Sequence, residues 1–159
     1  MEAVLDILAR EARCSLEEIA TRLDLTTEEV AQAIGDMEQQ GVIVGYKALI
    51  DWEKVGSKKV YALIEVRAEP EPKHGFHAVA EYIARYPEVH SVYLVSGAFD
   101  LCVVVEGEDF RDIASFVAEE LAPHPQVVST ATHFVLKNYK LDGQMLVGER
   151  PARRLAVSP

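Results

Sequence analysis

Residues 15–37 read SLEEIATRLDLTTEEVAQAIGDM, and their reading decides the architecture of the N-terminal third. Ser15-Leu16-Glu17-Glu18 and Thr26-Thr27-Glu28-Glu29 have the form of two capping boxes. In each, a hydroxyl takes an orphan N–H of the first helical turn, and a Glu three positions on reaches back to the N–H of the capping residue. Leu16, Ile19, Ala20 and Leu23 follow the first box at helical spacing, and Val30, Ala33, Ile34 and Met37 follow the second. Only Asp24-Leu25 separate the first helix from the second cap. So short a connection forces a sharp reversal, the geometry of a helix-turn-helix.

Working outward, Val4, Leu5 and Leu8 give an earlier apolar stripe that ends near Ala12-Arg13, so the helix-turn-helix has a third helix in front of it. Gly41 is placed to close the last helix in a left-handed C-cap. The β-branched and aromatic run 42–50 predicts an extended wing and exit strand over the helical core. Residues 51–58, with Gly56-Ser57 near their end, read as a linker. Trp52, flanked by Asp51 and Glu53, suits an anchor that packs this linker onto a neighbouring domain better than a base-stacking group.

Beyond the linker the rhythm becomes strand, helix, strand, strand, helix, strand. Residues 60–69 read as a strand, broken by Pro70 and Pro72, and Phe76, Val79, Ala80 and Ile83 mark a helix stopped by Pro87. Strands over 89–96 and 99–106 are joined by a hairpin turn at Gly97-Ala98. Phe110, Ile113, Phe116, Val117 and Leu121 form a second helix before Pro123 and Pro125, and 127–139 returns as the fourth strand. This is the order of the ferredoxin-like split βαβ, in which helices cover one sheet face and leave the other open. An open face predicts a dimer. The expected plan is α+β: a winged helix-turn-helix over 1–50, the linker over 51–58, a ferredoxin-like βαββαβ domain over 59–140, and an ordered arm or frayed tail over 141–159.

Composition sets outer bounds. With 49% hydrophobic and 26% charged residues in 159, the chain has the profile of a folded globular protein. No apolar run approaches a membrane span and the start lacks a basic then apolar leader, so the expected location is cytoplasmic. Cys14 and Cys102 are expected to be reduced, Cys102 in the core, with no zinc or disulfide framework. His74 and His77 stand three apart and can share a metal or haem iron, but no third ligand accompanies them; solvated histidines, and no cofactor, are the expectation. The net charge is −10, and residues 1–56 hold five basic groups against twelve acidic ones. A reading head built there starts from a local balance of −7, against the needs of phosphate neutralisation.

A helix-turn-helix followed by one ferredoxin-like domain resembles the Lrp/AsnC, or feast/famine, family of transcriptional regulators, over residues 4 to about 140. The local signatures are the entry to the second helix at Arg13-Cys14-Ser15-Leu16-Glu17-Glu18-Ile19-Ala20, the exit of the third at Gln40-Gly41-Val42-Ile43-Val44-Gly45-Tyr46, the Gly-x-x-Asp element Gly97-Ala98-Phe99-Asp100, and Thr130-Ala131-Thr132 with Lys137 in the closing strand. The resemblance implies a RAM-type sensing domain, a homodimer that can build an octamer, double-stranded DNA as one partner, and an amino acid or similar metabolite bound between subunits near the Gly-x-x-Asp turn. It places effector contacts at Ser96, Gly97, Phe99, Asp100, Thr130 and Thr132, with Gly97 admitting close backbone approach to a carboxylate and Asp100 taking an ammonium. For the turn alone, a positive φ at Gly97 and turn capping by Asp100 account for both residues.

The third helix departs from the family. Residues 26–40 carry no Arg or Lys, so bidentate Arg readout of guanine is unavailable from it. Arg22, Thr26, Thr27, Gln32 and Gln39, with Lys47 and Lys54 near the wing, remain for weak, salt-sensitive contacts, and the helix N-terminus for a phosphate. Two alternatives stay open: an effector-binding or corepressor module that is silent on DNA, and a siroheme-decarboxylase-like enzyme, for which no Arg-rich, His-containing cluster is present. No catalytic residue is assigned.

Overall fold

The computed structural model describes residues 1–147, and the chain divides into two units at Ile50 and Asp51. The first holds α1 (Glu2–Arg10), α2 (Leu16–Leu23) and α3 (Thr27–Gln39). Both capping boxes form: Ser15 Oγ accepts the Glu18 N–H at 3.2 Å and Glu18 accepts the Ser15 N–H at 3.0 Å, with the Thr26 and Glu29 pair at 3.2 and 2.8 Å. Asp24 reverses the chain after α2 in the left-handed region at φ 55°. After α3, Gly41 takes φ 68°, and the N–H groups of Gly41 and Val42 return to Glu38 O and Met37 O at 3.0 and 2.9 Å, a Schellman closure. Val4, Leu8, Ile19, Ala20, Val30 and Met37 are the buried core, while Leu16 at the entry to α2 stays 38% exposed.

The expected strand over 42–50 does not form. Val42 and Ile43 hang from Met37 O by their N–H groups and Ile43 packs on the helices, but Val44 is 94% exposed and no neighbouring strand among the described residues offers a ladder. An extended segment without a partner has β-composition and no sheet. Residues 51–57 close into a hydrogen-bonded turn, Lys54 N–H to Asp51 O and Ser57 N–H to Trp52 O, and Lys59 Nζ stands 5.5 Å over the Trp52 ring.

In the second unit, β1 (Val60–Ala68), β2 (Val89–Leu94), β3 (Leu101–Gly107) and β4 (Val127–Val135) form an antiparallel sheet in the order β2-β3-β1-β4. α4 (His77–Ala84) and α5 (Phe110–Phe116) follow β1 and β3, and the second helix finishes in a π turn, Val117–Leu121, where Ala122 N–H reaches Val117 O. Ala62, Ile64, Val66 and Ala68 alternate inward along β1, and Leu101, Val103 and Val105 along β3, to pack with Val79, Ile83, Ile113, Phe116 and Leu121. Phe110, at the entry to α5, is 54% exposed instead of core. Cys102 falls on the opposite face from Leu101 and Val103, so it is half-buried beneath the open sheet face and not in the core. β4 ends at Val135 because its partner Tyr61 is nearly the first residue of β1; the chain before Val60 is not part of the sheet and comes from the 51–57 turn. A short hairpin, β5 (Lys140–Leu141) and β6 (Gln144–Met145), follows. Of the expected arm, residues 148–159 lie outside the described residues.

The open face carries Leu63 (41% exposed) and Tyr93 (55%) beside Val104 and Ala131. At one end Glu106 gathers three partners: Lys59 Nζ, His90 Nε2 at 3.2 Å, and the Tyr61 hydroxyl. Burial alone would raise the Glu106 carboxyl, but the hydrogen bonds from Lys59 and Tyr61 outweigh it and hold the group below its ordinary range. The same burial, with the bond to Glu106, pushes Tyr61 up to about 12.

Two outcomes follow from these contacts. Gly41 has open space around an added Cβ, so Gly41→Ala meets only the backbone cost of the left-handed region, and chemical denaturation followed by circular dichroism should show the N-terminal unit destabilised by about 1 kcal/mol. Because the folded value of Glu106 is lowered, its contribution is full above the ordinary carboxylate pKa of about 4.3 and is lost as pH falls through the lowered value. Glu106→Gln should therefore destabilise the second unit near neutrality and converge with the parent as pH falls below that lowered value, measured as urea midpoints across pH.

Candidate effector turn and DNA-reading helices

β2 and β3 stop earlier than a two-residue hairpin would allow, leaving residues 95–100 as the connection, closed by the Val95 N–H to Asp100 O at 2.9 Å. Asp100 ties this loop to the central strand. Its N–H donates to Val66 O at 3.0 Å and its Oδ2 accepts the Ala68 N–H at 2.9 Å, where the side chain stands in for the next backbone carbonyl of the ladder. Turn capping is thus one of its roles, and Oδ1 takes no hydrogen bond among the described residues. The N–H groups of Ser96, Gly97, Ala98 and Phe99 have no protein acceptor among the described residues either. Gly97 does not adopt a left-handed φ, and nothing lies within 4 Å of a Cβ built on it. Its smallness therefore serves access, and the positive φ expected of the turn alone is absent.

Thr130 pairs with Val66 across the other edge of β1, and Thr132 with Ile64. Residues opposite one another in an antiparallel pair share a face. Both threonines therefore lie on the helix-covered side, partly buried, at the level of the turn or one pleat below it. Ser96, Gly97, Phe99 and Asp100 come together; Thr130 and Thr132 flank them across one strand. Sequence reasoning missed Arg67 and Ser129, a cross-strand pair at this end of the sheet. The signal was present: Arg67 sits between apolar Val66 and Ala68, an alternation that turns it to the open face.

A hollow of about 610 Å³ lies at the far end of β3 among Tyr86, His90, Glu106, Asp112, Phe116 and Glu120. Its acidic lining repels a carboxylate, so we place no amino-acid site there. His74 and His77 lie against carboxylates of their own turns, Glu71 at 3.7 Å and Glu81 at 3.1 Å.

In the N-terminal unit most of the polar groups expected at DNA have partners within the chain. The Thr26 hydroxyl serves the Glu29 N–H and carboxylate, and Thr27 Oγ1 donates to Glu28 at 3.1 Å. The Glu29 carboxyl, held below its ordinary range by the Thr26 N–H and hydroxyl, puts negative charge at the N-terminus of α3, where a phosphate was expected. Gln32 Nε2 donates to Asp36 at 2.7 Å, and Arg22 forms a two-pronged contact with Glu11 at 3.1 Å. Lys54 pairs with Asp51 at 3.0 Å. Gln39 and Lys47 remain exposed, as do Arg10 and Arg13, which form no ion pair among the described residues.

Comparison with known proteins agrees with this two-part plan. Residues 2–44 match the model of a winged helix-turn-helix DNA-binding domain, and residues 61–145 that of the Lrp/AsnC ligand binding domain. The chain is 44% identical over 157 residues to YugG of Bacillus subtilis, described as an uncharacterized HTH-type transcriptional regulator, covering 98% of this chain and 95% of that one. It is 27% identical over 134 residues to the proline dehydrogenase transcriptional activator of Rhodobacter capsulatus, 84% of this chain and 86% of the other. Among solved structures, the feast or famine regulatory protein of Mycobacterium tuberculosis complexed with L-methionine superposes with a TM-score of 0.70 at 25% identity, over 92% of this chain and 96% of that one. A Neisseria meningitidis transcriptional regulator in complex with L-methionine does so at 0.70 and 24%, over 90% and 92%. A capped helix-turn-helix joined to a β2-β3-β1-β4 sheet that keeps its Gly-x-x-Asp turn, matched along nearly its whole length, belongs to the Lrp/AsnC family of transcriptional regulators.

Proposed function

We propose that this regulator is a homodimer, able to build higher oligomers such as an octamer, that holds double-stranded DNA weakly through its helix-turn-helix and senses an amino acid at the 95–100 turn. The observation that carries the sensing role is the turn itself. Four consecutive N–H groups without protein acceptors stand beside a carboxylate with one oxygen free. Free amides suit a carboxylate and the Asp100 oxygen suits an ammonium, the two groups every amino acid carries. Solved relatives with L-methionine bound support that ligand class.

The open sheet face, with Leu63 uncovered on the inner strand β1 and Tyr93 on the edge strand β2, supports assembly through that face. Apolar side chains on a sheet face are stabilised by a second layer, and a second copy supplies one without another partner. Leu63→Lys should convert the dimer to monomer in sedimentation analysis while leaving the second unit folded.

DNA affinity rests on few charges. If only Arg10, Arg13 and Lys47 in each head reach phosphates, the slope of log Kobs against log salt for a dimer is no steeper than about −5. A fragment of the gene's own promoter should be retarded at low salt and released as salt rises. A second reading is favoured by the carboxylates that cap α3: the N-terminal unit is silent on DNA, and no retardation up to micromolar protein at low salt would select it. The relatives compared are regulators, and none of the proposed contacts calls for a catalytic group.

For the sensing site, Asp100→Ala is a poor probe because it strands the Ala68 N–H, at about 1–3 kcal/mol, and loosens the fold together with the site. Asp100→Asn keeps an acceptor for Ala68 and removes the charge. It should leave the melting temperature within a few degrees while abolishing the thermal shift given by the amino acid that stabilises the parent; undiminished binding would move the ligand elsewhere.

A further inference from the structure

Beside the proposed effector turn stands a cation to which no partner is assigned. Asp100 bonds to both chain neighbours of Arg67, donating to Val66 O at 3.0 Å and accepting from Ala68 N–H at 2.9 Å. Arg67 is thereby bracketed by Asp100 on one edge of β1 and paired with Ser129 on the other. Its side chain is exposed, alternates with buried Val66 and Ala68, and forms no ion pair or hydrogen bond among the described residues. The Asp100 carboxylate lies beside it across the edge of β1, yet forms no ion pair or hydrogen bond with it. The reason is directional: Oδ2 of Asp100 is spent on the Ala68 amide, in line with the ladder, whereas alternation sends Arg67 out of the sheet.

We propose that Arg67 is a second anion anchor of this site and that the effector is an amino acid with an acidic side chain. This rests on reading the 95–100 turn as the sensing site. Two features there suit anions, the free amides of residues 96–99 and the Arg67 guanidinium, and one suits a cation, the free Asp100 oxygen. Aspartate and glutamate carry two carboxylates and one ammonium and match these anchors group for group. A neutral amino acid leaves the guanidinium unused, and a basic one sets an ammonium against it. The planar fork of Arg holds a carboxylate bidentately, which Lys at this position would not do. On a chain of net charge −10, an anionic ligand needs such a dedicated cation to offset the field of the whole molecule.

Calorimetric titration of the full chain with L-glutamate, L-aspartate, L-glutamine, L-asparagine and L-methionine tests this, on the parent and on Arg67→Gln. The parent should bind one acidic amino acid at least ten-fold more tightly than its amide. Arg67→Gln should lose that preference, keep the affinity for the amide, and leave the melting temperature and the oligomeric state unchanged. Equal affinity for acid and amide in the parent, or a preference that survives in Arg67→Gln, overturns the assignment of Arg67. So does dissociation of the Arg67→Gln dimer, which would make Arg67 an interface residue. If acid and amide bind the parent equally and Asp100→Asn abolishes both, the turn stands and only Arg67 falls. Binding of none of the five removes both.

Discussion

The second unit depends on one constraint: β1 is hydrogen-bonded on both edges, to β3 from Val60 to Val66 and to β4 from Tyr61 to Ala68. A strand paired on both sides cannot slip by one residue without sending Ala62, Ile64, Val66 and Ala68 out of the core, so its register is the most strongly specified in the sheet. The candidate effector site is positioned from it. The ladder to β3 ends where the backbone of Leu101 gives way to the turn, and Asp100 takes up the last donor, the Ala68 N–H, with a side chain. Its free oxygen, the amides beyond it and the outward Arg67 are consequences of where that ladder stops. At the opposite end, the same register sets Tyr61 against Glu106, and Lys59 and His90 close on that carboxylate.

How much of this was legible from sequence followed how local its cause was. Both capping boxes, the Asp24 reversal and the Gly41 closure are set by residues within a few positions of one another, and the structure has each where the residue types put it. The helical spacing in α4 likewise placed Val79 and Ile83 in the core. What was missed depends on partners far along the chain. The stretch 42–50 has strand composition, but sheet structure needs a neighbour and none pairs with it among the described residues. Residues 136–139 continue the apolar pattern of β4 past the point where β1 begins. Cys102 was misplaced by weighing its type over its parity between Leu101 and Val103. In the candidate site, the family motif found the turn, yet Arg67 lies about thirty residues earlier and is joined to it only by hydrogen bonds across strands.

The two units treat charge in opposite ways. In the first, carboxylates are used as structural groups: Glu18 and Glu29 satisfy backbone N–H groups, Glu38 accepts the Tyr46 hydroxyl at 2.9 Å, and Glu11 holds Arg22. A helix that closes its own N-terminus with a carboxylate gains stability at the place where an approaching phosphate would otherwise find free amides and a positive dipole end. Stability of the reading head and its affinity for a polyanion are thus in direct competition at α3. The exposed cations that remain, Arg10, Arg13 and Lys47, lie outside that helix, so any DNA contact must be made mainly by flanking segments.

That weakness bears on how the proposed sensing works. A head with few phosphate contacts binds usefully only when several are linked, since linkage turns later contacts into intramolecular ones. Occupancy on DNA then depends steeply on assembly, and a ligand needs only a small differential affinity between assembled states to change it. Arg67 and the open sheet face that carries Leu63 and Tyr93 belong to the same surface, set by alternation along β1 and β3. A ligand drawn to Arg67 and Asp100 would therefore sit at the margin of the face proposed to join two copies. On the proposed reading, weak reading heads and a sensor beside the assembly face would be two halves of one arrangement: the first would make binding conditional on assembly, and the second would let a metabolite set that condition.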